Sequence, residues 1–354
     1  MEPSPNGSTN FPAKSRLTMQ HALQLSRLSF TYRSWKEEVC DSLFSDLSLD
    51  LQEGSKTLLL APFNKGKTTL AKIICKVCPK YFPGSLEGSI TMFGMDLSTL
   101  EPWDLLGLCS FVSQNPQEQF IAASVEEELA FPLESMGIER EEMVRRITGA
   151  LNLWGLQDLR TSSHQELSGG ERKRVLLAVQ EVLQARLWIL DEAFDDLDQQ
   201  WRDRLRETIQ TSDKTILVLA SRYLEEFSGL FDQVVLLDQK TIHTPAFDEL
   251  LPRFSQLCGD DQPNPLEAQV LEIAEKHKLC CTNLQAERKR QSTLLGQSFS
   301  LNVPDFHLES GELVTLVGPN GSGKSSFSRL LCGLDEPKGG AITIDGQPFS
   351  AKEL

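Results

Sequence analysis

Apolar residues in this chain follow two spacings. Short consecutive runs such as Leu187-Trp-Ile-Leu190 and Leu313-Val-Thr-Leu-Val317 have the length and make-up of strands buried on both faces. Helical spacing takes over in other stretches, abruptly at Arg172-Lys-Arg-Val-Leu-Leu-Ala-Val179 and again from Asp248 to Leu257. Such strands and helices together predict an α/β fold. No apolar run approaches the roughly 20 residues that a membrane span requires.

The pattern repeats. Gly54-Ser-Lys-Thr-Leu-Leu-Leu-Ala-Pro-Phe-Asn-Lys-Gly-Lys-Thr-Thr-Leu70 returns at constant offset as Gly311-Glu-Leu-Val-Thr-Leu-Val-Gly-Pro-Asn-Gly-Ser-Gly-Lys-Ser-Ser-Phe327. Gly88-Ser-Ile-Thr-Met-Phe-Gly94 returns as Gly340-Ala-Ile-Thr-Ile-Asp-Gly346 at an offset five residues shorter, as a loop deletion would produce. Two homologous units in tandem follow. The breaker-rich Gly259-Asp-Asp-Gln-Pro-Asn-Pro265 marks their junction. The expected division is a disordered leader over 1–20, a first unit over 21–257, a linker over 258–279 and a partial second unit over 280–354, which stops short of the counterpart of Gln114.

Gly318-Pro-Asn-Gly-Ser-Gly-Lys-Ser325 follows an apolar run and precedes an apolar helix that begins near Ser326, the context of a phosphate loop. Backbone N–H groups around Gly321 and Gly323 are expected to face the phosphates, with Gly318, Pro319, Asn320, Ser322 and Ser326 completing the expected nucleotide-binding set. Lys324 is expected on the β and γ phosphates and the Ser325 hydroxyl on Mg²⁺. In the first unit Ala61 and Asn64 replace two glycines, while Lys65, Gly66, Lys67, Thr68 and Thr69 complete the loop. If both altered positions need positive φ, each costs roughly 1–2 kcal/mol, less for asparagine. Charge-assisted hydrogen bonds to phosphate contribute about 1.5–3 kcal/mol each, so weakened binding is expected rather than none.

Leu187–Leu190 ends in Asp191-Glu192, placing two carboxylates at a strand's C-terminal end, where parallel α/β folds keep ligands. Asp191 can hold Mg²⁺ through water, and Glu192 can orient and deprotonate an attacking water. A solvated acidic turn is the plain alternative, and the phosphate loop argues against it. Ser168 and Glu171 have capping-box spacing around Gly169 and Gly170, so the helix that follows has a glycine-flanked N-terminus suited to an anion. A structural cap explains the pair Ser168 and Glu171 but not the two glycines between them.

The net charge of −15 argues against general affinity for nucleic acid or anionic lipid. The basic runs Arg172–Arg174 and Arg288–Arg290 read as solvated faces. Eight cysteines with no disulfide framework fit a reducing compartment, and Cys75 and Cys78, three apart on a predicted helix, read as packing residues. The adjacent Cys280 and Cys281 have no histidine pattern that would make them metal ligands.

These residues together resemble the ATP-binding-cassette (ABC) family: a Walker A loop, Leu167-Ser-Gly-Gly-Glu171 as the signature and Leu190-Asp-Glu192 as the end of Walker B. The resemblance covers about Leu23 to Leu251 for one cassette and Cys280 to Leu354 for the opening half of another. It implies a P-loop NTPase cassette, a mixed sheet core with antiparallel β and helical subdomains, with ATP and Mg²⁺ as cofactors. Phe111-Val-Ser-Gln-Asn-Pro-Gln-Glu-Gln-Phe120 and Ser124-Val-Glu-Glu-Glu-Leu-Ala-Phe131 resemble the Q-loop region of energy-coupling-factor ATPases, which power uptake of vitamins and transition-metal ions. The resemblance then gives Gln114 the sensing of Mg²⁺ and γ-phosphate, beside the surface that grips integral membrane subunits. It puts Asp198 on the D-loop between cassettes and Tyr32 against adenine, although a lone tyrosine there would otherwise be an ordinary strand residue. The implied location is cytoplasmic, peripheral on the inner face of the membrane.

Arg222 stands where the family has its switch histidine; it can pair with a γ-phosphate but neither accepts a hydrogen bond nor titrates near neutrality. In the second unit Arg288 falls nearest the position of the adenine-stacking tyrosine. In the family each site joins one cassette's Walker motifs to the other's signature. Lys324 could meet Ser168–Gly170, but Lys67 with Asp191 and Glu192 needs a second signature, from self-association or another ABC subunit. Two other readings stay open: a nucleotide-binding regulator or relic without turnover, and a soluble tandem-cassette factor acting on ribosomes or DNA. The short Pro/Asp-rich junction and the acidic charge count against the latter.

Overall fold

The computed structural model describes residues 20–33, 41–238, 240–244, 249, 252–255, 276–289, 298–319 and 321–349. The expected leader apart from Gln20, the Gly259–Pro265 junction, Arg290 and Asn320 lie outside them, as does the side chain of Arg288. Of the helix expected over Asp248–Leu257, residues 249 and 252–255 are described, and they are helical. Among the described residues no helix is long and apolar enough to cross a membrane.

The first unit holds two sheets. An antiparallel one has the order β2-β1-β4-β5, from β1 (His21–Tyr32), β2 (Phe44–Gln52), β4 (Gly84–Met92) and β5 (Met95–Asp96). The other has the order β10-β9-β3-β8-β7-β6, built from β3 (Lys56–Leu60), β6 (Cys109–Val112), β7 (Leu187–Asp191), β8 (Thr215–Ala220), β9 (Gln233–Asp238) and β10 (Thr241–His243). Every pair in it is parallel except β9 with β10. Helices cover both faces of the parallel part, so β3, β7 and β8 are buried along their whole length. Leu58 and Leu60 face a core shared with α2 (Val125–Ser135), α3 (Arg140–Leu153), α4 (Gly169–Leu183) and α5 (Gln199–Thr211). Leu59 faces the other way, toward α1 (Lys67–Ile74) and the antiparallel sheet. Cys75 and Cys78 belong to that second core, Cys78 buried and Cys75 Sγ 3.8 Å from Cys109 Sγ.

The internal repeat extends to the backbone. In β1 the inward residues are Leu23 and Leu25, then Leu28 and Phe30, a change of parity at Arg27, whose φ of 48° marks a bulge. In β11 (Lys278–Lys289) the core side chains are Leu279 and Cys281, then Leu284 and Ala286, and Asn283 has a φ of 45°. The strand crossing each bulge carries a glycine there. A Cβ on Gly88 would sit 2.5 Å from the Arg27 carbonyl, and one on Gly340 would sit 2.2 Å from that of Asn283. Arg288 follows the second bulge as Tyr32 follows the first.

The second unit comprises β11, β12 (Ser298–Glu309), β13 (Gly339–Ile344) and β14 (Gln347–Pro348) in the order β12-β11-β13-β14, with α6 (Lys324–Leu331). Its core gathers Cys281, Leu284, Phe327, Leu330 and Ile342, with the Phe306 ring edge-on to Phe327 at 5.3 Å. The strand expected over Leu313–Val317 does not form: these residues carry no strand hydrogen bonding, and Leu313 is 98% exposed and Val317 84%. The reason is pairing. The matching strand β3 is held between β8 and β9, and among the described residues of the second unit nothing supplies either neighbour. Each such side chain left in water forgoes roughly 1.5–3 kcal/mol.

The solvated face expected at Arg172–Arg174 is also corrected. Only Arg172 is partly exposed, donating through Nε to the His164 carbonyl at 2.9 Å. Arg174 is buried, donates to the carbonyls of Trp154 (2.7 Å) and Gly155 (3.0 Å), and stacks on Trp201 at 4.3 Å. Lys173 is wholly buried. α4 runs between the sheet and the helical subdomain, so even its basic residues face protein, and they find carbonyls rather than water.

Near the end of α4, burial pushes Glu181 up to about 7, with Lys214 opposing only in part. Its folded value lies above that of an unfolded carboxylate, so its contribution is complete below the unfolded value and is lost as pH rises through about 7. Glu181→Gln is therefore expected to raise stability by about 2 kcal/mol near pH 8 and to change it little near pH 4, checked by denaturant unfolding at both.

Candidate nucleotide-binding site

The loop between β3 and α1 is set by two residues at positive φ, Asn64 (59°) and Gly66 (92°). Ala61 is not one of them; it is buried, and its N–H donates to the Ala220 carbonyl at 3.1 Å. The strain expected at Ala61 is therefore absent, and only Asn64 carries it, in a region asparagine tolerates. Gly66 is demanded twice, by its φ and by packing, since a Cβ would lie 2.8 Å from Phe44 Cζ.

Lys67 opens α1 and is 6% exposed. Its ammonium donates to the Ala61 carbonyl at 2.9 Å and the Pro62 carbonyl at 3.2 Å, and lies 3.5 Å from Glu192 Oε1. The Thr68 hydroxyl donates to Asp191 Oδ2. Asp191 is fully buried, and its other oxygen, Oδ1, has no hydrogen-bond partner. Burial pushes its carboxyl up to about 6, with the Thr68 hydrogen bond pulling the other way. Glu192 follows at φ 48°, its N–H tied to the Leu219 carbonyl at 3.0 Å, which turns its side chain back toward Lys67.

A cavity of 320 Å³ collects Tyr32, Asn64, Gly66, Lys67, Thr68, Thr69, Gln114 and Glu192, along with Leu43 and Phe63. The Tyr32 hydroxyl is 2.9 Å from Thr69 Oγ1, which holds the ring beside the loop. Residues expected from the resemblance to act from farther away do not line it. Lys65 is exposed. Ser168 caps α4, accepting from the Glu171 N–H at 3.3 Å while Glu171 accepts from the Ser168 N–H at 2.8 Å, with Gly169 and Gly170 in the first turn. Asp198 caps α5, accepting from the Trp201 N–H at 3.2 Å. Arg222 is turned away: its guanidinium bonds Asp195 Oδ1 at 2.5 Å and is largely exposed. The carboxylate of Asp195, three residues past Glu192, captures the long side chain that replaces the histidine.

In the second unit Gly321 and Gly323 take positive φ (78° and 96°), matching Asn64 and Gly66. Lys324 repeats the pose of Lys67, donating to the carbonyls of Gly318 (2.7 Å) and Pro319 (2.8 Å), and the Ser322 N–H donates to Pro319 at 3.3 Å. Ser325 and Ser326 start α6 with no acidic strand end beside them among the described residues, and Ser325 is exposed.

The profile of the ABC transporter family matches residues 44–195 and 301–354, more than half the chain and part of each unit. The chain belongs to the ABC transporter family. A putative ABC transporter ATP-binding protein of Treponema denticola is 27% identical over 342 residues, covering 93% of this chain and 68% of its own length. A putative HMP/thiamine import ATP-binding protein of Bacillus subtilis is 28% identical over 363 residues, covering 94% of this chain and 66% of its own. The chain thus spans about two thirds of the length of these relatives. The solved structure of cbiO1 from Clostridium perfringens, part of the ABC transporter complex cbiONQ, matches with a TM-score of 0.53 at 20% identity, over 67% of this chain and 95% of that one. A dimeric ATP-binding cassette in a post-hydrolysis state bound to ADP and Pi matches with a TM-score of 0.55 at 18% identity, over 64% of this chain and 100% of that one. At these identities the likeness establishes the ABC cassette fold.

The cassette's donor set fits a hard divalent cation. Thr68 supplies a hydroxyl, Asp191 a carboxylate with a buried orphaned oxygen, and Gln114 a neutral amide facing the same cavity. One residue of the site was hidden from sequence reasoning: Lys173, taken with its neighbours as solvated, reaches the backbone of both Gln114 and Glu192. Its signal was the inward helical phase of position 173 amid Val175, Leu176 and Leu177.

Thr68→Ala removes the hydroxyl that meets Asp191, leaving a buried carboxylate with no partner on either oxygen. ATP affinity of the first loop is expected to fall about tenfold in Mg²⁺ and much less in EDTA, measured by titration in a Lys324→Ala background that removes the second loop's contribution.

Proposed function

We propose that this chain is the ATP-binding and ATP-hydrolysing subunit of an ABC importer of the energy-coupling-factor type, taking up a vitamin or a metal ion. The observation that carries the nucleotide reading is the convergence of Lys67, Thr68, Gln114, Glu192 and Tyr32 on one 320 Å³ cavity at the C-terminal edge of the parallel sheet. The importer reading draws on the Phe111–Phe131 segment and on the name of the Bacillus subtilis relative. The subunit works at the cytoplasmic face, gripping integral membrane subunits through the surface beside Gln114.

Lys67 gives up the Ala61 and Pro62 carbonyls to hold the β and γ phosphates, a neutral partner exchanged for a charged one. Thr68 and Asp191, with Gln114, would hold Mg²⁺, which would supply charge neutralisation at the phosphate oxygens. Glu192 Oε1, 3.5 Å from the Lys67 ammonium, takes the proton of the attacking water. Tyr32 offers its ring to the base. Ser168–Gly170 and Asp198 lie off this cavity and serve a second cassette, supplied by self-association or by another ABC subunit. The open run Leu313–Val317 calls for two flanking parallel strands before the Lys324 loop is held as firmly as the first.

A nucleotide-binding regulator without turnover is the second reading, and the Arg222–Asp195 pair favours it, because a switch residue held by its own cassette must first leave Asp195 to meet a phosphate. Nucleic acid is disfavoured by the net charge of −15.

ATP hydrolysis by the native chain and by Glu192→Gln, each with and without membranes of the source organism, separates the two. Turnover that Glu192→Gln reduces about 10²-fold or more while ATP binding persists is the expected result. Binding without turnover by either protein under both conditions would establish the regulator.

A further inference from the structure

Lys173 lies on the second turn of α4, five residues beyond the Ser168 cap, and is 0% exposed. Its ammonium donates to the carbonyls of Ser113 at 3.2 Å and Gln114 at 3.1 Å, and more weakly to that of Glu192 at 3.4 Å. These carbonyls belong to two segments, one leaving β6 and one leaving β7, strands paired in parallel with Val112 opposite Leu190. The ammonium thus ties the C-terminal ends of neighbouring strands to each other and to the start of the signature helix.

A position that only filled space would favour an apolar side chain, because a buried ammonium is strongly penalised unless its hydrogen bonds are met. Here they are met by main-chain oxygens of the two residues whose side chains face the nucleotide cavity, Gln114 and Glu192. Burial pulls the Lys173 ammonium below the usual lysine range, and the nearby carboxylates of Asp196, Asp195, Asp191 and Glu192 oppose that only in part. Fixing a backbone from its carbonyl leaves the side chain free to act while deciding where it starts from.

We propose that Lys173 is a positioning residue, a cross-brace that sets the Gln114 and Glu192 backbones relative to the N-terminus of α4. Side chains that serve this cassette's own cavity are thereby held in register with Ser168–Gly170, the segment that serves the opposite cassette. A shift of the Gln114 segment, on the side that meets membrane subunits, moves the signature through Lys173 as a rigid link. The proposal rests on the nucleotide-site reading above and assigns to that site a residue that never touches the ligand.

The test uses the full chain in a Lys324→Ala background and measures ATP affinity in EDTA and in Mg²⁺. Lys173→Met is expected to lose about tenfold of the Mg²⁺-dependent gain while its affinity in EDTA stays within about twofold of the parent. Lys173→Arg, which retains donors for the carbonyls, is expected to recover part of the gain. With Gln114→Ala already present, Lys173→Met is expected to have little further effect, because both changes act through one side chain. Equal losses in EDTA and Mg²⁺, or losses that multiply in the double variant, would overturn the proposal and leave Lys173 a packing residue. If Lys173→Met does not fold, Lys173→Arg and Lys173→Gln carry the same comparison, with an unchanged Mg²⁺ gain in both counting against the brace. A parent that binds no ATP in either condition would defeat the nucleotide-site reading itself, a result distinct from any of these.

Discussion

Lys56–Leu60 pairs in parallel with Thr215–Ala220 on one side and Gln233–Asp238 on the other, and the first cassette depends on that double pairing. It aims the end of β3 at the ends of β7 and β8, so the loop that starts at Ala61 opens beside Asp191 and Glu192. It also buries Leu58 and Leu60 on one face and Leu59 on the other, joining two cores that would otherwise be separate. The second unit shows what happens without it. Gly321 and Gly323 keep their left-handed turns and Lys324 keeps its two carbonyl partners, because those are local. Leu313–Val317, which needs neighbours, stays open to water.

Within the first cassette, the buried cations rest on backbone oxygens, Lys67 having Glu192 Oε1 at 3.5 Å besides. Lys67, Lys173 and Arg174 are all buried, and all three donate to carbonyls at strand or helix ends. Carbonyl ends of parallel strands point toward the same edge, so such an edge is a natural place to hold cations. Negative charge is treated differently. Asp191 is left with an oxygen that no protein group satisfies, and its carboxyl sits well above the usual range. A cation at Thr68 and Asp191 would reverse both conditions at once.

Arg222 illustrates how a substitution at one position recruits another. Arginine is longer than histidine and always charged, and here its guanidinium bonds Asp195 Oδ1. The result is an ion pair on an exposed surface, where screening makes it easy to exchange for a stronger anion. The residue is thus displaced from the site without being barred from it.

Much of this was legible in the sequence because it is carried by local chemistry. Glycines at left-handed turns, a lysine and a hydroxyl following them, two acids after an apolar run and a serine three residues before a glutamate each announce themselves within a few positions. The tandem repeat was visible for the same reason, down to the paired glycines that the bulges at Arg27 and Asn283 require. Three matters were decided only by the tertiary structure. Ala61 proved unstrained, because backbone angles at a strand end depend on the sheet that holds it. Arg172–Arg174 looked solvated as a string of charges, yet α4 is enclosed on most sides, and burial is a property of what packs around a helix. Leu313–Val317 has the composition of a core strand, but a strand exists only through hydrogen bonds to other strands, and these come from residues far away in the chain.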